Sequence, residues 1–170
     1  MTQAFVAVGS NIDPEKNVLE ALCLLARSCK ITGVSTIYRT EPEGRPQDPP
    51  YLNCVVRLDT DLEPEGFKLK VLRRIEDKLG RVRTSDRFDN RTIDLDLILY
   101  GGLTIYSAIL TIPDPEISTR PYLALPLCEL APGLVLPGSG KKITDITASL
   151  NSSPMEPMDD YTELVRTEVL

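Results

Sequence analysis

The chain has 170 residues, 42% of them hydrophobic and 26% charged, with a net charge of −6. That length suits one domain that buries roughly two-thirds of its unfolded surface, and the ordinary composition excludes a disordered chain. The acidic balance argues against a nucleic-acid partner, whose phosphate backbone selects a basic face. A small anionic ligand stays open wherever positive charge is concentrated locally.

No apolar run approaches membrane-spanning length, and the N-terminus begins with strand-like Ala4–Val8 instead of a signal peptide. A cytoplasmic protein with no membrane partner is the expectation. Cys23, Cys29, Cys54 and Cys128 lack the spacing of a zinc site and read as thiols in a reducing compartment. Histidine is absent altogether, which excludes His-assisted nucleophiles and histidine metal sites. Any chemistry must come from carboxylates, Lys, Arg, Tyr or hydroxyls.

Residues 4–9 read as a buried strand that ends at the turn Gly9-Ser10-Asn11. Asp13-Pro14-Glu15 is a helix start, with Asp13 as the N-cap type and proline at the first helical position. Val18, Leu22 and Leu25 then recur at helical spacing to about Ser28, and Ile31–Tyr38 reads as a second strand. Residues 41–50 carry four prolines and Gly44, and form a long loop suited to a lid.

Tyr51–Asp59 is a third strand with clean alternation: Leu52, Cys54, Val56 and Leu58 share one face, Tyr51 and Asn53 the other. A second helix runs over 64–79 with Gly80 as its stop, followed by a second long loop from Gly80 to Arg91. Thr92–Tyr100 is a fourth strand, and Gly101-Gly102 signals a hairpin into Leu103–Tyr106. The order is βαββαβ: an α+β, ferredoxin-like core with a mainly antiparallel sheet and one helical layer. An added hairpin and short C-terminal helices complete it. Residues 1–150 read as a single domain and 151–170 as a loosely held acidic tail.

The strongest chemical signal is Arg91-Thr92-Ile93-Asp94-Leu95-Asp96-Leu97. In a strand, Ile93, Leu95, Leu97 and Leu99 face one way and Asp94 and Asp96 the other. Two carboxylates about 6 Å apart repel by roughly 3 kcal/mol at an effective dielectric near 20. A hard cation between them removes that penalty, and Mg²⁺ bridging a nucleotide's phosphates suits such ligands. A solvated strand face is the plainer alternative, although aspartate is depleted in strands.

The loop just before this pair holds Arg81, Arg83, Arg87 and Arg91, whose guanidinium forks match phosphate oxygens. Tyr51 and Asn53 share a face and could grip a planar heterocycle by stacking and edge hydrogen bonds, or lie simply on the surface. Tyr122 could form a second aromatic wall or belong to the core. Neither a Walker loop nor GxGxxG is present, so Gly9-Ser10-Asn11 is no phosphate loop.

Together these pieces resemble the 6-hydroxymethyl-7,8-dihydropterin pyrophosphokinases of folate biosynthesis. The resemblance covers about 4–137 and runs through Val8-Gly9-Ser10-Asn11, Tyr38-Arg39-Thr40, Tyr51-Leu52-Asn53, Ile75-Glu76, Gly80-Arg81-Val82-Arg83, the Arg91–Asp96 run, Pro126-Leu127 and Ala131-Pro132. It implies pyrophosphoryl transfer from ATP to the pterin's hydroxymethyl oxygen, releasing AMP, with two Mg²⁺ ions on Asp94 and Asp96. It also implies that Arg81 and Arg91 stabilise charge during transfer. Tyr51 and Tyr122 would sandwich the pterin, with Thr40 and Asn53 reading its edge. Glu76, Arg83, Leu97, Thr111 and Arg120 would lie around ATP, and the two loops would close over both substrates. A monomer acting on small molecules is implied.

The chain departs from the family pattern at three places: Asp114 stands where a histidine is usual, Phe88 where a tryptophan is, and Asp89-Asn90 where Gly-Pro is. An anion facing phosphate is unfavourable, so Asp114 is expected to turn away or to weaken nucleotide binding. The residues alone also allow another two-metal phosphoryl or nucleotidyl transferase, or a pterin- or nucleotide-binding module with little catalysis.

Overall fold

A computed structural model describes residues 1–151 and 153–170. Six strands form one antiparallel sheet: β1 (Thr2–Ser10), β2 (Lys30–Val34), β3 (Tyr38–Thr40), β4 (Tyr51–Thr60), β5 (Asp94–Tyr100) and β8 (Met155–Pro157). Their path is β5-β1-β4-β3-β8, with β2 also on β4. Counting β2 and β3 as one broken strand, this is the expected ferredoxin-like order, in which β1 and β4 run antiparallel at the centre.

On one face lie α1 (Pro14–Ala26) and a helix from Pro64 to Lys78, whose ends are α2 (Pro64–Phe67) and α3 (Arg73–Lys78). Lys68–Leu72 between them is a π-helical turn. It leaves Phe67, Leu72 and Ile75 buried against the sheet, with Val18, Leu22 and Leu25 of α1. Asp13 gives α1 no side-chain cap; its own backbone is left-handed, and Asn17 Nδ2 donates to the Ile12 carbonyl at 2.6 Å.

The single helical layer expected from the sequence is half of the arrangement. On the other face, α4 (Pro121–Leu130) and α5 (Ile143–Ser149) bury Leu123, Leu127, Ile143 and Ile146 against Phe5, Val55 and Ile98. The sheet is therefore covered on both sides except where the two long loops begin. Among the described residues no helix is long and apolar enough to cross a membrane.

Three expectations change. The Gly101-Gly102 turn forms, but Leu103–Tyr106 does not return along β5; β6 (Ile105–Tyr106) pairs instead with β7 (Thr111–Ile112). Leu99 does not share the face of Leu95 and Leu97, because a bulge opposite Phe5/Val6 turns it to the second cluster. The tail is not loose either: β8 pairs with β3, and α6 (Asp159–Val169) docks Val165, fully buried, into the core. Met158, Tyr161, Val165 and Val169 recur at helical spacing, and their burial holds the acidic segment down.

Candidate active site

The carboxyl end of β1 meets the start of β4 and of β5, so three strand ends open on one cavity of about 590 Å³. Register builds its floor. Gly9 lies opposite Asn53 on one side and Asp94 on the other, and Ala7 lies opposite Asp96. Side chains at such partners project to the same face, so Asn53 and Asp94 flank Gly9 in one row and Asp96 stands on the same face in the next. Gly9 leaves the room: a Cβ there would fall 2.9 Å from Asn53 Oδ1.

The walls come from the loops and α4. Thr40 and the 41–43 stretch, Tyr51, the 81–91 loop, Asp114 and Tyr122 all line the cavity. Asn53 Nδ2 donates to Thr40 Oγ1 at 2.7 Å, which fixes the amide plane. Burial raises the Tyr51 hydroxyl's pKa and pushes that of Tyr122 up to about 12, so both rings present neutral phenols.

The two aspartates are in unequal surroundings. Asp94 is held by two cations, Arg91 Nη1 at 2.8 Å and Arg81 Nη1 at 3.2 Å. Arg81 also donates from that nitrogen to the Ile93 carbonyl at 2.9 Å, while its buried Nε has no partner. Burial alone would lower the Arg91 pKa, but Asp94, Tyr51 and Asp96 outweigh it. Among the described residues no ion pair holds Asp96. The surrounding protein and then the charges of Asp94, Glu76 and Asp114 raise its carboxyl to about 8, while Lys68 opposes them. Its side chain still reaches water, which screens part of that repulsion.

A smaller recess of about 180 Å³ lies beside the pair, lined by Lys68, Arg73, Arg81, Arg83 and Glu76 as well as both aspartates. Glu76 is buried and raised in pKa by burial and by Asp94; Arg83 meets it at 2.9 Å and Asp77 at 2.8 Å. Asp114 turns its carboxylate onto the chain, accepting the Glu116 N–H at 2.8 Å to cap a short 3₁₀ turn, Pro115–Ser118.

The structure thus brings Thr40, Tyr51, Asn53, Arg81, Arg83, Arg91, Asp94, Asp96 and Tyr122 to one cavity, with Glu76 in the adjoining recess. Leu97 is instead buried in the core on the opposite face, as its alternation with Asp96 requires. Thr111 lies in β7 outside the cavity wall, and Arg120 is drawn onto Glu43 of the first loop at 2.7 Å.

The model of the 7,8-dihydro-6-hydroxymethylpterin-pyrophosphokinase family matches residues 5–132, three-quarters of the chain. The chain belongs to that family. A Synechocystis relative named 2-amino-4-hydroxy-6-hydroxymethyldihydropteridine pyrophosphokinase is 37% identical over 95% of this chain and 83% of its own length. A Haemophilus influenzae protein of the same name is 38% identical over 82% of this chain and 88% of its own. In fold the chain is similar to the Plasmodium falciparum HPPK-DHPS, with a TM-score of 0.65 over 87% of this chain. That resemblance, at 14% identity, concerns fold alone, and the chain spans 43% of the longer protein.

Within this pyrophosphokinase fold, Gly9 lines the cavity and Asn11 lies beside it; the sequence names both in the turn after β1 but gives neither a site role. A glycine inside a strand signals a close approach, and at Gly9 the approaching group is Asn53 Oδ1. Asn11 is buried and joins the loops: its Oδ1 accepts from Arg91 N at 2.8 Å and its Nδ2 donates to Asn90 Oδ1 at 2.7 Å. Only the folded chain brings these together.

The aspartates also fit a divalent cation. Among the described residues no group of three or more His, Cys, Asp or Glu could enclose a metal. Mg²⁺, however, takes one or two carboxylates and completes its shell with water and substrate phosphates. Asp96, crowded by three carboxylates and lacking an arginine, is the group with the greatest demand for such a charge.

Proposed function

We propose that this chain transfers the pyrophosphoryl group of ATP to 6-hydroxymethyl-7,8-dihydropterin, giving AMP and the pterin diphosphate for folate biosynthesis. The observation that carries the reading is one cavity holding an aromatic-and-amide wall beside a carboxylate pair ringed by arginines. Tyr51 and Tyr122 flank the pterin ring, while Asn53, held by Thr40, meets its edge with an acceptor and a donor. The hydroxymethyl oxygen bonds to the β-phosphorus and gives up its hydroxyl proton to water, the bond from that phosphorus to the α–β bridging oxygen breaks, and AMP departs with that oxygen and its charge.

Asp94 and Asp96 would hold two Mg²⁺ ions, which when bound supply positive charge against the phosphate oxygens. Arg81 and Arg91 offer donors to the transferring group, Arg83 and Glu76 border the nucleotide side, and the 41–50 and 81–91 loops exclude water as a competing acceptor. Leu97, Thr111 and Arg120, which lie apart from the cavity wall, would reach ATP only through backbone or after loop movement. The protein acts as a monomer in the cytoplasm, where ATP is available and its four thiols stay reduced.

The test mixes the protein, ATP, Mg²⁺ and the hydroxymethyl-dihydropterin and identifies the nucleotide product. AMP with pterin diphosphate supports the reading. ADP points to an ordinary kinase, and binding without turnover to a module that has lost catalysis.

A further inference from the structure

The C-terminal segment lies beyond the family match, which ends at residue 132, yet it is built into the rim of the cavity. β8 pairs with β3 in the register Tyr38↔Pro157, Arg39↔Glu156 and Thr40↔Met155. β3 has only three residues, and its last, Thr40, is the one that holds Asn53. Without β8, this strand would be paired on one side only and would run straight into the 41–50 loop.

α6 fixes the residue that enters β3. The Ile37 N–H donates to Thr162 Oγ1 at 3.0 Å, and the Ile37 carbonyl accepts from Met158 N at 2.8 Å. Thr162 is 2% exposed, so water offers no substitute for its oxygen, and the same hydroxyl donates to the Met158 carbonyl at 2.8 Å. Arg166 Nε reaches the Val34 carbonyl at 3.0 Å, on the far side of the break between β2 and β3. The segment therefore supplies backbone partners for the stretch that β4 pairs only in part.

We infer that β8 and α6 act as a positioning element for pterin recognition: Thr162 and the β8 pairing hold Tyr38–Thr40 so that Thr40 can orient the Asn53 amide. The inference rests on the reading of Thr40 and Asn53 as pterin contacts. It assigns the segment no contact with either substrate. Loosening it weakens pterin capture and leaves the nucleotide half, built on β5 and the 81–91 loop, as it was.

The test uses the full chain, assayed well below its melting temperature. Thr162→Val, which keeps the shape and removes the hydroxyl, is expected to raise KM for the pterin about tenfold with KM for ATP unchanged, since the Ile37 N–H loses a buried partner. Thr162→Ser restores the oxygen and should restore KM. Glu156→Pro, which removes the N–H at the hydrogen-bonded pair with Arg39 in the middle of the β8–β3 ladder while leaving α6 seated, should shift pterin KM in the same direction, and serves if Thr162→Val does not fold. A lower Tm with both KM values intact, or a joint rise of both, overturns the inference. Asn53→Ala is run beside them: if it leaves pterin KM unchanged, the pterin reading fails and takes the inference with it. If Asn53→Ala raises pterin KM while Thr162→Val and Glu156→Pro do not, the positioning role alone is wrong.

Discussion

Arg91 Nη1 lies 2.8 Å from Asp94 Oδ2, and this contact divides the aspartate pair into a satisfied member and an unsatisfied one. Arg81 shares Asp94 from its other oxygen, and both guanidiniums are mostly shielded from water. Removing the charge at each position should then act in opposite directions on the metal-free protein. Asp94→Asn strands two part-buried arginines and is expected to lower stability by about 2 kcal/mol. Asp96→Asn relieves a repelled carboxylate and should raise Tm. Both should abolish turnover. Calorimetry decides it, and two variants moving Tm in the same direction would refute the asymmetry.

The same asymmetry has a pH signature. The surrounding protein and the neighbouring carboxylates raise the folded carboxyl of Asp96 to about 8, well above the ordinary aspartate range, so folding costs more once the group ionises. Below about pH 4 the proton is bound in both states and the site is neutral. Between about pH 4 and 8 the folded state retains a proton that the unfolded state has lost, so this contribution to stability falls as pH rises. Subtracting Asp96→Asn from wild type in urea melts isolates the contribution from all other groups. The difference should grow toward pH 8 without metal and shrink when Mg²⁺ is added at pH 8, with little metal effect at pH 4. A difference that is flat with pH would remove the electrostatic case for the cation.

The aspartate row, the Tyr51–Asn53 face and the two lid loops were legible because period-two alternation and proline content are local properties of the sequence. Leu99 escapes the period-two pattern because a bulge, set by pairing with β1, resets the alternation within β5. The C-terminal helix is hard to read from the sequence because its acidic composition masks the apolar stripe of Tyr161, Val165 and Val169. Thr162 and Asn11 give no local sign at all. Each matters through a backbone group more than 75 residues away in sequence, Ile37 for one and Arg91 for the other.

The two lids are tied across the cavity by charge. Arg45 of the first loop pairs with Asp86 and, at 3.3 Å, with Asp89 of the second, while Phe88 packs against Gly44. Asp89 thus adds a second carboxylate to the tie that Asp86 makes. These groups are more than a third exposed, and each contact is worth little once water and salt screen it. Arg45→Glu should nevertheless raise KM for both substrates several-fold by turning attraction into repulsion. Adding Asp86→Arg and Asp89→Arg to it should recover most of the loss. The wild-type KM values should also rise with ionic strength. Unchanged kinetics in Arg45→Glu would mean that the loops close independently.

Gly9 is the most economical test of how the cavity floor is made. It sits in the middle of the row between Asn53 and Asp94, and its φ is not in the left-handed region, so an added methyl meets no backbone strain. The obstacle is Asn53 Oδ1, 2.9 Å from where a Cβ would stand. That oxygen belongs to a side chain, but Thr40 at 2.7 Å holds its amide from the other end, so it can yield only by giving up that hydrogen bond. Gly9→Ala should therefore fold with nearly wild-type Tm, because alanine suits a strand no worse than glycine. Its KM for the pterin should rise about tenfold, the cost of one lost or misdirected hydrogen bond at a recognised edge. KM for ATP should stay put, since the methyl grows toward Asn53 and not toward Asp94. Steady-state kinetics with each substrate varied in turn separates the two, and a variant that loses ATP affinity first would show that Gly9 serves the phosphate side instead.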